Sequence, residues 1–271
     1  MKKKVFAVVL AAVCAFALTA CGEKKEEPAA SSSAASEAAS VVSEASSAVS
    51  EASSAAEEVA VMTYDEYMAA ALDTKVCVET YVQAKQSWWQ DTASVYCQSP
   101  DEGGYFLYGL ACTEEQFNTD LEVGHKIRVT GFKSEWSGEV EIIDATYEPI
   151  PDDIYYANPM DLTDFLGTDE LIDYQNIMVS FTDLTVADKG DGAAFLYKWD
   201  GSGVQGDDLY FDVTDSKGNT YSFTVESYLC GADTEVYKTV ENLKVGDVID
   251  CTGFLYWYEG PNPHITSVVV Q

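Results

Sequence analysis

Apolar and polar positions alternate from Thr74 to Ala84, TKVCVETYVQA, and the β-branched residues among them predict a strand. Thr92–Gln98 and Tyr105–Leu110 read as two more strands, separated by the turn SPDEGG. Thr113 is placed to cap a short helix that opens with Glu114 and Glu115 and runs to Asn118. A turn at Val123-Gly124 leads to a fourth strand, Lys126–Lys133. Ser137-Gly138 then forms a tight hairpin into a fifth, Glu139–Tyr147. Before all of these, Thr63 with Glu66 three residues on is a capping box opening a short helix.

The same order returns. LEVGHKIRVTGF (Leu121–Phe132) and LKVGDVIDCTGF (Leu243–Phe254) share seven of twelve positions and lie 122 residues apart. Met160–Phe165 echoes Met62–Tyr67. Strands are expected at Asn176–Leu184, Leu209–Asp215, Thr220–Val225, Val248–Phe254 and His264–Val270, with a helical stretch near Thr234–Val240. The second copy carries an insertion over about 187–208, in which Ala193–Tyr197 is a candidate extra strand.

Five strands with a helix between the third and fourth, repeated, resemble the OB-fold domains of secreted bacterial proteins. GYFLYGL, LEVGHKIRVTGF and WSGEVEI carry the resemblance. It aligns Gly124 and Gly246 with the turn before strand four, Gly131 and Gly253 with the bend within it, and Gly138 with the hairpin. The second copy departs at Gly260-Pro261-Asn262-Pro263, so its hairpin is longer or differently turned. The resemblance implies a mainly β chain of two tandem five-stranded OB-fold-like barrels, over 62–150 and 151–271. It also implies that ligands meet the sheet face and the loops after strands one and four.

The N-terminus belongs to neither barrel. Lys2–Lys4 precede an apolar run from Val5 to Leu18, too short for a membrane span and built as a signal peptide (1–20). It closes on Leu18-Thr19-Ala20-Cys21, which resembles the bacterial lipobox, whose cysteine takes lipid. Residues 21–61 are mostly Ser, Ala and Glu, with a faint heptad of Ser-Glu-Ala triplets at 36, 43 and 50. Such small side chains bury too little to offset ordering the chain. The segment reads as a disordered or weakly helical tether, holding the barrels off the outer face of the plasma membrane through lipid on Cys21.

Charge then narrows the function. Without Lys2–Lys4 the chain has 12 Lys and Arg against 46 Asp and Glu, a net −34. The barrels carry −11 (5 basic, 16 acidic) and −17 (5 basic, 22 acidic). Nucleic-acid affinity comes largely from Lys and Arg neutralising phosphates, so an envelope nucleic-acid-binding role, the alternative reading, is disfavoured. Lys85, Lys126, Arg128 and Lys133 are the candidate basic cluster. They are interleaved with Glu122, Glu135, Glu139 and Glu141, which favours cross-strand charge pairs.

Aromatics mark the expected groove. Trp88 and Trp89 follow strand one, Trp136 follows strand four, and Tyr256, Trp257 and Tyr258 occupy the equivalent loop of the second copy, with Trp199 in the insertion. Pairing Trp136 with Glu139 and Ser134 with Glu141 sets Trp136, Glu139 and Glu141 on an outer face, and Ile127, Val129, Val140 and Ile142 on the core face. An aromatic beside carboxylates suits a sugar; the competing reading is that Trp88 or Trp89 plugs the barrel end. No catalytic constellation, metal-ligand spacing or cofactor motif is present. Gly201–Gly206 fits G-x-G-x-x-G but leads into a strand, so it reads as a flexible acidic loop, and His125 as a turn residue. Of the cysteines after Cys21 (Cys77, Cys97, Cys112, Cys230 and Cys251), most or all are expected to be free thiols.

The expected class is a non-enzymatic extracytoplasmic binding protein for a neutral or cationic ligand: carbohydrate, cell-wall fragment, peptide or protein. With no other apolar segment left after signal cleavage, Cys21→Ser should move the protein from the membrane to the soluble fraction while the barrels stay folded. Retention of a signal-cleaved Cys21→Ser chain in the membrane would refute the lipid anchor.

Overall fold

A strand as apolar as Thr74–Ala84 must be covered on both faces, and closing its sheet into a ring covers the inner one. The computed structural model describes residues 59–100 and 103–271; the expected signal peptide, Cys21 and the tether through Glu58 lie outside the described residues. The helix α1 (Tyr64–Ala69) opens on its capping box, with Thr63 N–H donating to the Glu66 carboxylate at 2.9 Å and Glu66 N–H to Thr63 Oγ1 at 3.3 Å. The strands β1 (Lys75–Lys85), β2 (Thr92–Gln98) and β3 (Gly104–Ala111) follow. The helix α2 (Glu114–Thr119) bridges to β4 (His125–Trp136) and β5 (Glu139–Ile154). They close in the order β1-β2-β3-β5-β4, with β3 and β5 parallel, the OB-fold ring.

The second copy closes the same way. Its ring strands are β7 (Met178–Val186), β9 (Leu209–Thr214), β10 (Thr220–Val225), β11 (Val248–Phe254) and β12 (His264–Val270), with α3 (Glu235–Glu241) between β10 and β11. The β7–β9 pairing completes the ring, and β10–β12 is its parallel pair. Two short strands lie outside it: β6 (Met160–Asp161) on β7, and β8 (Phe195–Tyr197), inside the expected insertion, on β9. Two details differ from expectation. Strand β5 runs past Tyr147 to Ile154, because β4 offers it partners as far as His125. The echo of α1 is β6 followed by a single 3-10 turn, Thr163–Phe165, whose first N–H is held by Asp161.

Each barrel has its own core. Val76, Val78, Val95, Leu107, Ile127, Val129 and Ile142 fill the first; Val179, Phe181, Phe211, Val213, Phe223 and Ile265 fill the second. Val140 packs at the edge of the first core. The strand-four glycines are places of close approach. A Cβ on Gly131 would sit 2.7 Å from Ile142 Cγ2, and one on Gly253 would collide with the His264 carbonyl. Both ladders shift register there.

The two barrels lie within one compact unit, Ala55–Gln271, and a third apolar cluster joins them. Tyr96 of β2 and Phe106 of β3 point away from their own core and meet Phe254 of β11. The Tyr96 and Phe254 rings stack at 4.5 Å and 15°, an arrangement worth about 0.5–1.5 kcal/mol beyond the area it buries. The Tyr96 hydroxyl bonds His264 Nδ1 at 2.9 Å. Beside the rings, Gln175 imitates a strand: Nε2 donates to Gly138 O at 2.7 Å and Oε1 accepts from Val140 N–H at 3.1 Å. Gln98 Oε1 accepts from Met178 N–H at 2.8 Å.

Glu139 lies in this joint, wholly buried. Its Oε2 accepts from Trp257 N–H at 2.8 Å, while its Oε1 and Asn176 Oδ1 are buried acceptors without partners. Burial pushes the Glu139 carboxyl up to about 8, against the lowering pull of Asn176, within hydrogen-bonding reach, and of Trp257 N–H. A proton on Glu139 removes the charge from this buried carboxyl. Folding therefore takes up a proton between the ordinary value of 4.5 and about 8, so stability falls as pH rises across that window. Glu139→Gln keeps a neutral donor and acceptor in place. Its melting temperature should gain on the native protein as pH rises from about 5 to about 8, and a gap that stays constant with pH would contradict the protonated clasp.

Candidate functional site

The loop after β1 sorts its two tryptophans by side. Trp89 and Thr92 bond reciprocally, with N–H to O at 2.9 and 3.0 Å, around Gln90 and Asp91, both at positive φ. That tight turn sends Trp88 inward, where it packs on the first core and donates Nε1–H to Cys112 O at 2.9 Å. Trp88 thus belongs with the first core. Trp89 is left outside.

Trp89 opens onto a cleft of about 1110 Å³ between the barrels. One wall is the outer face of β2 and β3, continuing from the Tyr96–Phe106 joint to Ser94 and Tyr108. The other comes from the second barrel: Tyr210 on β9, Thr224 on β10, Tyr228 after β10, Trp199 from the insertion, and Tyr256, Tyr258 and Asn262 from the loop between β11 and β12. In an OB-fold the strand 2–3 face and the loops after strands one and four are the ligand surface. Here that face of one barrel meets the strand-four loop of the other.

The floor is rigid. Tyr256 stacks on His264 at 4.4 Å and meets Phe106 edge-on at 5.5 Å. Burial lowers His264 to about 3, so this imidazole is neutral at ordinary pH. The rim is open: Trp89, Tyr108, Trp199, Tyr228 and Tyr258 are each between 50% and 69% exposed. Five large rings left in water around one cavity mark a contact surface. The first barrel's loop is tied across, Ser87 N–H donating to Tyr228 O at 2.7 Å. The insertion is fixed on α3, where Gly206 N–H donates to Tyr237 Oη at 2.8 Å and the Tyr237 hydroxyl donates to Asp207 O at 2.7 Å. The Gly201–Gly206 loop, expected to be flexible, is therefore pinned at its end.

Two carboxylates line the cleft. Glu226 accepts from the N–H groups of Tyr228 at 3.1 Å and Leu229 at 2.8 Å. Burial raises it to about 7, with Asp208 contributing. Asp208 Oδ1 accepts from Ser227 N–H at 2.8 Å and Oγ at 2.7 Å, leaving its other oxygen unused by these bonds. Tyr210 is pushed up to about 12, first by burial and then by both carboxylates. Among the described residues no Lys or Arg lines the cleft.

Of the residues expected from sequence, Trp89, Trp199, Tyr256 and Tyr258 come together here. Trp136 stands exposed at the β4–β5 hairpin, outside the cleft lining, and its strand partner Glu139 is in the joint; Glu141 is buried on the same strand. Trp257 covers Gly138, where a Cβ would lie 2.7 Å from its Cδ1. Tyr108, Tyr210, Tyr228, Asp208 and Glu226 were not singled out by sequence. The outward aromatics of TASVYCQ and YFLYGL, out of phase with the core set, were the available signal.

The candidate basic cluster is spent elsewhere. Arg128 bonds Glu79 at 2.8 Å, and Lys126 bonds Asp153 at 3.1 Å. These are cross-strand pairs as expected, with partners other than the interleaved glutamates. Lys133 is buried and donates to the carbonyls of Tyr67, Met68 and Ala70 at 3.1, 2.7 and 2.9 Å, closing the end of α1. Lys85 donates to Phe117 O and sits over its ring. Among the described residues, no group of His, Cys, Asp and Glu is arranged to hold a metal, and the cysteines are buried free thiols.

No protein-family model and no curated protein matches this chain. Among solved structures it is similar to a replication protein A heterotrimer bound to single-stranded DNA (12% identity, TM-score 0.32, covering 75% of this chain and 51% of that one). It is also similar to a murine DNA-binding protein bound to double-stranded DNA (10% identity, TM-score 0.36, 72% and 96% covered). A third is a deletion mutant of the single-stranded DNA-binding protein from Thermus aquaticus (13% identity, TM-score 0.24, 73% and 93% covered). Likeness at this level carries no argument about ligand or mechanism.

Proposed function

We propose that the protein is a non-enzymatic binding module whose site is the cleft between its two OB barrels, displayed on the outer face of the plasma membrane by the tether and lipid on Cys21. The observation that carries this reading is the composition of the cleft. Aromatic rings from both barrels face one cavity, and no positive side chain among the described residues accompanies them. Rings offer flat apolar faces, and tyrosine hydroxyls and carboxylates offer polar contacts at their edges. A neutral or cationic carbohydrate, cell-wall fragment or peptide fits that surface.

The nucleic-acid reading shares the aromatic platform, since bases stack on such rings. It lacks the other half of the interaction. Phosphate binding draws on Lys and Arg, and the acidic walls and the chain's formal charge of −31 repel a polyanion. Titrating the full chain with single-stranded DNA and with a panel of neutral oligosaccharides and short peptides, read by tryptophan fluorescence, separates the two. The expected result is no DNA binding even at low salt, and a ligand from the neutral panel that loses about 1–3 kcal/mol on Trp89→Ala or Trp199→Ala. Tight DNA binding at low salt that collapses as salt rises would contradict it.

A further inference from the structure

Aromatic faces are electron-rich, and the carboxylates of this cleft add charge of the same sign. Glu226 lines the cleft and holds the Tyr228 backbone N–H, with Asp208 nearby, and Trp199 and Trp89 stand at the rim. A neutral sugar would use the rings and leave the carboxylates' charge uncompensated. A phosphate-bearing ligand would meet repulsion from both acids. A primary ammonium is strongly hydrated and gives up its water at a high cost. A quaternary ammonium is bulky and weakly hydrated, and attraction to ring faces is strongest where the cation is desolvated. We infer that the cleft takes a small quaternary ammonium compound, its methyl groups against the faces of Trp89, Trp199 and Tyr228 and its charge answered by Glu226 and Asp208. This rests on the cleft being the binding site.

The geometry gives the inference a dependence on pH. Glu226 is met by Asp208 and Tyr210 from β9 and the segment before it, by Gln86 from the first barrel, by Cys230 after β10, and by Tyr96 and Tyr256. No described positive group is among these neighbours. Burial holds Glu226 near 7, so a cation arriving beside it displaces a proton, and its binding strengthens as pH rises through that value. An uncharged ligand of the same shape has no such preference.

The test titrates the full chain with choline, with its uncharged isostere 3,3-dimethylbutan-1-ol and with phosphocholine, by tryptophan fluorescence and calorimetry at pH 6 and pH 8. Choline should bind at least about tenfold tighter than the isostere at pH 8, with the advantage reduced at pH 6. Phosphocholine should bind more weakly than choline. Trp199→Ala, a change at an exposed rim position, should weaken choline, and Glu226→Gln should remove the pH dependence. Equal binding of choline and the isostere at both pH values, or no choline binding, overturns the inference. If choline fails while a neutral oligosaccharide or peptide binds and loses affinity on Trp199→Ala, the cation falls and the cleft stands. If every probe fails, both fall.

Discussion

The outer face of β2 and β3 is too apolar to stand in water. Tyr96 and Phe106 project from it, and both are buried where Phe254, Tyr256, Met178 and Leu229 of the other barrel pack against them. Removing a ring of this kind from water contributes about 1.5–3 kcal/mol, and the Tyr96–Phe254 stack adds to it. The demand to cover that face sets the rest of the architecture. It turns two barrels that each own a core into a fixed pair, and it places the strand-four loop of the second barrel along the strand 2–3 face of the first.

The joint covers only part of the face. Ser94 and Tyr108 lie further along it and remain in the cleft. The same period-two geometry that buries Tyr96 and Phe106 therefore turns the next outward residues toward the cleft. The polar clasp beside the rings fixes the spacing of the walls: Gln175, Gln98 and Glu139 satisfy backbone groups across the joint with side chains. A clasp of this kind is directional, so it resists sliding that an apolar contact alone would permit.

Both barrels were legible in the sequence for a physical reason. Alternation, capping boxes and the repeated turn-and-strand phrase are local signals, and the ring strands and the capped helices rest on them; β6, standing where an echo of α1 was expected, does not. The pairing of Trp136 with Glu139 and Ser134 with Glu141 was likewise readable, because Ser137-Gly138 admits a two-residue hairpin with positive φ at both positions. What one barrel does to the other was not legible. Period two correctly sets Glu139 on an outer face, but it does not say that a second domain covers that face. Trp88 and Trp89 are adjacent and identical in kind, and only the turn at Gln90-Asp91 decides which one enters the core. The cleft draws on both barrels, on segments more than a hundred residues apart in the chain, and no local pattern joins them.

The central claim is that the cleft is a fixed feature of two locked barrels. Residual dipolar couplings measured on backbone amides of both barrels test it most directly, since they report orientation without reference to any ligand. A single alignment tensor is expected to fit residues of both barrels together, in the orientation of this structure. Separate tensors of different magnitude for 62–150 and 158–271 would mean that the barrels move independently, and would contradict it.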